Sequence, residues 1–211
     1  LEQGHFQPKD FNDVFSEEVY NRFLKTVDPY KHYFYSSDIK EFETYKTDLD
    51  DQIKNYDVQF FNLVYNRLTQ RIEESKAVYS QILEQPFNFD LDEKYQSNPE
   101  ELDYVSTKKE MTDRWRKQLK FNTLTNYHDL LSDNDDEENE VKKSATELEK
   151  DARQSTLKNL QEVSVYFDDM RRDDWLSMYI NAISETFDPH TYYFAPQVKE
   201  RFDAEMSGKY E

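Results

Sequence analysis

The sequence predicts an all-α fold: an irregular multi-helix domain with a Pro- and aromatic-rich connecting segment and little or no strand. Three observations carry that reading. Only two glycines occur in 211 residues, Gly4 and Gly208, both near the termini. Two-residue hairpin turns favour Gly or Asn-Gly, so a sheet of tight hairpins lacks its turn residues here. Six prolines and an abundance of Glu, Lys, Leu and Gln leave long stretches open to helix. Apolar residues also recur at three- and fourfold spacing, the helical period.

The elements follow in order. Phe11–Val27 reads as a first helix, with Asp13 or Ser16 as cap and Phe15, Val19, Phe23 and Val27 on one face. After the turn "DPYKHYFYSSD", Ser37 or Asp38 caps a second helix bearing Ile39, Phe42, Tyr45 and Leu49. A long third helix covers about Val58–Glu84, striped by Phe60, Phe61, Val64, Leu68, Ile72, Val78, Ile82 and Leu83. Pro86 ends it and opens an irregular stretch, with short extended pieces possible at Phe87 and Phe89. Pro99 and the acidic pair after it start a helix holding Met111, Trp115, Leu119 and Phe121, continued by Leu124 to Leu131. "SDNDDEENEVKKS" is a low-complexity break, with an acidic loop at Ser132–Glu140. A helix over Glu140–Asp169 carries Val141, Ala145, Leu148, Ala152, Leu157, Leu160 and Val163. A Trp175 helix, a second Asp-Pro turn and a short helix through Phe202 and Met206 complete the chain.

The length suits one domain, or two small ones. Apolar residues make up only 36% but aromatics reach 16%, so rings must supply much of the core; disordered acidic chains are poor in them. Formal net charge is −18, which disfavours nucleic acid and anionic membrane surfaces, both bound through Lys and Arg. No apolar run approaches the roughly 20 residues that cross a bilayer. With no cysteine there is no disulfide framework and no thiolate metal site, a state compatible with periplasm and cytosol alike. A chain opening on Leu1 is expected to be a fragment or a mature form.

Familiar chemistry is missing from the pattern. Without interior glycine, the chain cannot build a phosphate-cradling loop, a dinucleotide turn or a nucleophile elbow. His5, His32, His128 and His190 are scattered, with no i, i+4 pair for zinc. From Asp133, the sixth and twelfth positions of a calcium loop hold Glu138 and Ser144, where Gly and Glu are required. Serines sit in polar or capping contexts. "RWRKQLKF" (Arg114–Phe121) reads as Trp115 and Leu119 in the core with the basic side chains pairing nearby acids. No catalytic, cofactor or metal residue is expected.

One pattern repeats. "FSEEVYNRFLKTVDP" (Phe15–Pro29) lies over "WLSMYINAISETFDP" (Trp175–Pro189), and "VDPYKHYFYSSDIKEF" (Val27–Phe42) over "FDPHTYYFAPQVKERF" (Phe187–Phe202). Each copy is a helix, a stop at Asp-Pro, an aromatic turn and a new helix. Convergent punctuation and structural duplication both account for it, since the residue before proline leaves the helical region.

The stretch Ser16–Phe42, Trp115 followed by Lys120-Phe121, and Asp188, Pro189, His190, Thr191, Tyr193, Pro196, Phe202 and Met206 together resemble the N-terminal helical domain of tail-specific proteases, C-terminal processing enzymes of the periplasm. The resemblance covers nearly the whole chain and implies that residues 1–211 form one N-terminal helical domain. It implies a following PDZ domain that reads apolar C-terminal tails by strand addition, and a protease domain in which neutral Lys activates Ser. No catalytic residue of the family falls in this chain. By the resemblance, the helical domain walls a cavity, restricts entry to unfolded chains, and docks an adaptor or another subunit. Asp188, Pro189, His190, Thr191, Tyr193 and Pro196 form its interdomain joint. Two prolines with buried aromatics between them would stiffen that joint, while Asp28–Phe34 reads as a plain helix corner. The alternatives are a stand-alone acidic helical interaction module and an acidic cation-binding protein.

Overall fold

The computed structural model describes residues 10–135 and 142–207. Among them every regular element is helical: α1 (Asp13–Val27), α2 (Ser36–Phe42), α3 (Leu49–Lys54), α4 (Gln59–Leu83), α5 (Lys108–Asp135), α6 (Ala145–Asp169), α7 (Arg172–Phe187) and α8 (Pro196–Ser207). The all-α reading holds. Of the acidic stretch, Ser132–Asp135 forms the last turn of α5 and Asp136–Glu140 lies outside the described residues, as does Val141.

Local chemistry explains where the helices depart from the apolar pattern. Asn12 caps α1, accepting the Phe15 N–H at 3.1 Å, so neither Asp13 nor Ser16 is the cap. The second expected helix is divided into α2, a 3₁₀ turn at Glu43–Tyr45, and α3. At the division the Thr44 hydroxyl donates to the Glu41 carbonyl at 2.8 Å, the kind of side-chain competition that interrupts a helix. α3 ends in a Schellman motif: the Tyr56 N–H reaches the Ile53 carbonyl and the Asp57 N–H the Gln52 carbonyl. Glycine usually takes the left-handed position of that motif, and here Tyr56 takes it at φ 56°. Pro99–Glu101 is only a 3₁₀ turn. α5 starts later, where Thr107 and Glu110 cap each other's N–H groups. α6 starts at the same device made by Ser144 and Glu147, five residues after the expected Glu140.

The described chain forms two compact units. The first comprises the residues up to Pro29, Lys40–Asn66, and Met170 onward. Its core is aromatic. Phe15, Val19, Phe23 and Val27 bury one face of α1, Phe60, Phe61 and Val64 the first turns of α4, and Trp175, Tyr179 and Phe187 a face of α7. Tyr179 is the hub, with ring centroids 5.0 Å from Phe23, 6.0 Å from Phe60 and 5.9 Å from Phe61. α1 is locked to α3 through buried Ser16, whose hydroxyl donates to Asp50 Oδ1 at 2.8 Å and accepts the Asp50 N–H at 2.9 Å.

The Tyr179 hydroxyl is buried without a hydrogen-bond partner among the described residues, and burial pushes its pKa up, with Asp57 adding to the rise. An unmade bond of this kind costs about 1–3 kcal/mol. Tyr179→Phe keeps the ring and removes the orphan, so urea unfolding should show equal stability or a gain of about 1 kcal/mol; a loss above that size contradicts the geometry.

The second unit comprises Tyr30–Ile39 and Arg67–Asp169. Its core joins Tyr79 and Leu83 of α4 to Met111, Trp115 and Leu119 of α5, with Leu157 and Leu160 of α6 packed against them. Val163 and Phe121, both placed on core faces by spacing, are exposed; Phe121 stacks on Tyr95 at 5.2 Å instead. Buried charges are paired. Asp38 accepts from Arg67, from Arg71 Nη2 at 2.9 Å and Nε at 3.0 Å, and from the Tyr35 N–H at 3.0 Å. Glu149 accepts from Arg153 at 3.1 Å and from the Phe87 N–H at 3.0 Å. The basic run around Trp115 behaves as its spacing predicts. Trp115 and Leu119 are buried, while Arg116 and Lys120 both pair with Glu93.

Candidate functional site

Five of the six joint residues, from Asp188 to Tyr193, lie on one short connection between α7 and α8, and Pro196 is the first residue of α8. α7 stops because Pro189 follows Asp188: the Asp188 N–H still reaches the Ser184 carbonyl at 3.4 Å, but its backbone is already extended. The Asp188 carboxylate then turns the chain. Its Oδ1 accepts the His190 N–H at 2.9 Å and lies 3.0 Å from His190 Nδ1, and its carbonyl accepts the Thr191 N–H at 2.9 Å.

Two residues on, Asn181 of α7 clamps the returning strand of chain. Its Oδ1 accepts the Tyr193 N–H at 2.7 Å and its Nδ2 donates to the Tyr193 carbonyl at 3.4 Å. Pro196 opens α8, a position where a missing N–H costs nothing. The connection is therefore held by polar clamps. Buried aromatics do not stiffen it, since Tyr192 and Phe194 are exposed and Tyr193 is half-buried. Asn181 was visible in the sequence as a residue shared by the two copies, yet Asn21 in the first copy is exposed, and only geometry separates the two.

The two copies agree in backbone and differ in burial. α1 and α7 each end one residue before Asp-Pro, and the connections 28–35 and 188–195 are equal in length. Thr26 and Thr186 each return a hydroxyl to the carbonyl four residues back, at 2.9 and 2.8 Å. The aligned rings part company. Phe34 and Phe42 are 0% exposed, whereas Phe194 and Phe202 are 41% and 46% exposed. The exposed pair stacks at 5.5 Å, Tyr192 meets Phe194 edge-on at 5.3 Å, and α8 also carries exposed Met206. The second copy thus presents an apolar ladder where the first has a closed corner.

The described residues thus form an all-helical chain with an exposed aromatic ladder at an Asp-Pro-His-Thr turn. The chain belongs to the tail-specific protease N-terminal domain family, whose model matches residues 1–197. It is similar to the tail-specific protease of Haemophilus influenzae, at 24% identity over 98% of this chain and 28% of that protein. The chain therefore spans a little over a quarter of the length of that relative. Among the described residues, no cluster of acidic residues and histidines could hold a metal ion, and no helix is long and apolar enough to cross a membrane.

Proposed function

We propose that this chain is the non-catalytic helical scaffold of a tail-specific serine endopeptidase of the periplasm. Residues 1–211 serve as one N-terminal domain, with Ser132–Glu140 as a variable acidic stretch that begins in the last turn of α5. The Ser-Lys chemistry and the PDZ-type capture of apolar C-terminal tails reside in other parts of the longer protein. The scaffold shapes the access of unfolded protein substrates and offers a docking face for an adaptor or another subunit. Family membership supports the parent activity. The observation that carries the scaffold reading is the ladder: Phe194 and Phe202 are exposed although their counterparts Phe34 and Phe42 are fully buried. Apolar rings left open beside a clamped turn suit a surface that the rest of the protease covers.

On this reading Asp188, Pro189, His190, Thr191, Tyr193 and Pro196 form the joint, and the Asn181 clamp fixes the angle at which α8 leaves α7. The test is a Phe194→Ser/Phe202→Ser variant of the full-length protease. Its kcat/KM on an unfolded protein with an apolar C-terminus should fall about tenfold, roughly 1.4 kcal/mol of lost positioning. The same changes in this chain alone should leave its unfolding midpoint unchanged. Unaltered proteolysis by the variant would overturn the joint.

A further inference from the structure

The second unit contains a basic cavity in a strongly acidic chain. It measures about 580 Å³, and Lys94, Lys109, Arg114 and Lys117 line it, although the chain as a whole has 45 Asp and Glu against 27 Lys and Arg. Two of the four cations are already engaged, Arg114 with backbone carbonyls and beside Glu110, and Lys117 with Asp113. Arg114 donates to the carbonyls of Lys31 at 2.7 Å and Asp103 at 2.6 Å. Lys94 follows Glu93, which is anchored by Arg116 at 2.9 and 2.5 Å and Lys120 at 2.8 Å. Neither Lys94 nor Lys109 meets a carboxylate among the described residues.

Two carboxylates also line the cavity, and both are engaged. Glu110 accepts the N–H groups of Ser106 and Thr107. Asp113 pairs with Arg116 at 2.8 Å and Lys117 at 3.1 Å. Tyr95, Leu102, Val105 and His32 supply ring and aliphatic surface. Burial, and then the charge of Arg114, holds the His32 ring neutral with its pKa lowered to about 4.

We infer that this cavity binds a carboxylate-bearing, partly apolar peptide segment. The net positive lining selects an anion. Glu110 and Asp113 in the same wall disfavour a phosphate dianion, and the overall charge of −18 repels a polyanion. The apolar walls take the flanking side chains, and the volume falls in the range of small-ligand sites, about 300–1,000 Å³. This site is separate from the joint and stands whether or not the joint does.

The experiment is calorimetry on this chain at low salt with a capped peptide of sequence Leu-Ala-Asp-Ala-Leu, against its twin with Asn for Asp. The aspartate peptide should bind at least about fivefold tighter than the twin, the scale of one solvated charge pair. Lys94→Gln/Lys109→Gln, two changes at exposed positions, should weaken it about tenfold with an unchanged circular dichroism spectrum. Equal affinity for the twins, no effect of the double variant, or no binding would each overturn the inference. No proteolysis enters this assay, so its failure is distinct from failure of the scaffold reading.

Discussion

Replacing Asp38 with alanine is expected to destabilise the second unit by about 3–5 kcal/mol, the cost of breaking a buried pair from one side. The Asp38 side chain is fully buried and receives hydrogen bonds from both Arg67 and Arg71. Truncation leaves two guanidinium groups, 25% and 17% exposed, facing an empty acceptor site. It also frees the Tyr35 N–H that the carboxylate holds at the start of α2. Urea unfolding followed by circular dichroism reads the loss. A change below about 1 kcal/mol, the size of an exposed pair, would show that the network contributes little.

The same carboxylate gives the variant a pH signature. Burial alone would raise the Asp38 pKa, but hydrogen bonds from Arg71, the Tyr35 N–H and Arg67 outweigh it and hold the group below its ordinary value of 3.8. Glu93 is likewise lowered, to about 2, by Arg116 and then Lys120. A carboxyl whose folded pKa is depressed contributes stability that is present above its unfolded pKa and lost as pH falls toward the folded one. Stability should therefore begin to decline below about pH 6.5, where the unfolded chain protonates a His32 that the fold keeps neutral down to about 4, and decline further from about pH 4.5 toward pH 2 as the carboxylates protonate. Asp38→Ala should decline less steeply below pH 3.8 because its share is already gone. Parallel curves for the two proteins would contradict the assignment.

Phe60→Ala should produce a loss of similar size in the first unit, about 3–5 kcal/mol. Phe60 has no exposed surface, and its ring meets Tyr20 at 5.4 Å, Phe23 at 6.0 Å, Tyr45 at 6.2 Å and Tyr179 at 6.0 Å. Four rings cannot collapse into the space of a fifth without leaving their rotamers, so a cavity remains. Phe60→Leu, which refills part of it, should recover some of the loss. An alanine variant within about 1 kcal/mol of the parent would mean that the aromatic hub is loosely packed.

How far the sequence could be read depended on whether a signal was local. The α1 and α4 faces followed from apolar spacing, because one buried stripe is enough to specify them. The late start of α5 was equally local. "TKKE" at Thr107–Glu110 and "SATE" at Ser144–Glu147 are capping-box signatures, while Pro99 with its acidic pair mimicked a helix start and closed only one 3₁₀ turn. Other features required the tertiary structure. Phe34 and Phe194 sit at the same place in the same motif, and nothing within either copy tells which ring is covered. The basic cavity was hidden because Lys94 lies in the irregular segment before α5 whereas Lys109, Arg114 and Lys117 lie on that helix. Along the chain each looks like an ordinary solvated charge.

The most direct measurement of the scaffold account is hydroxyl-radical footprinting of Tyr192, Phe194 and Phe202, in this chain alone and in the full-length protease. All three rings are exposed here, so each should be labelled readily in the isolated chain. The account predicts that the full-length protein protects all three while exposed Tyr56 is labelled equally in both. Equal labelling of the ladder in the two proteins would contradict it, and Asp188–Pro196 would then be a helix corner like the one at Asp28–Phe34.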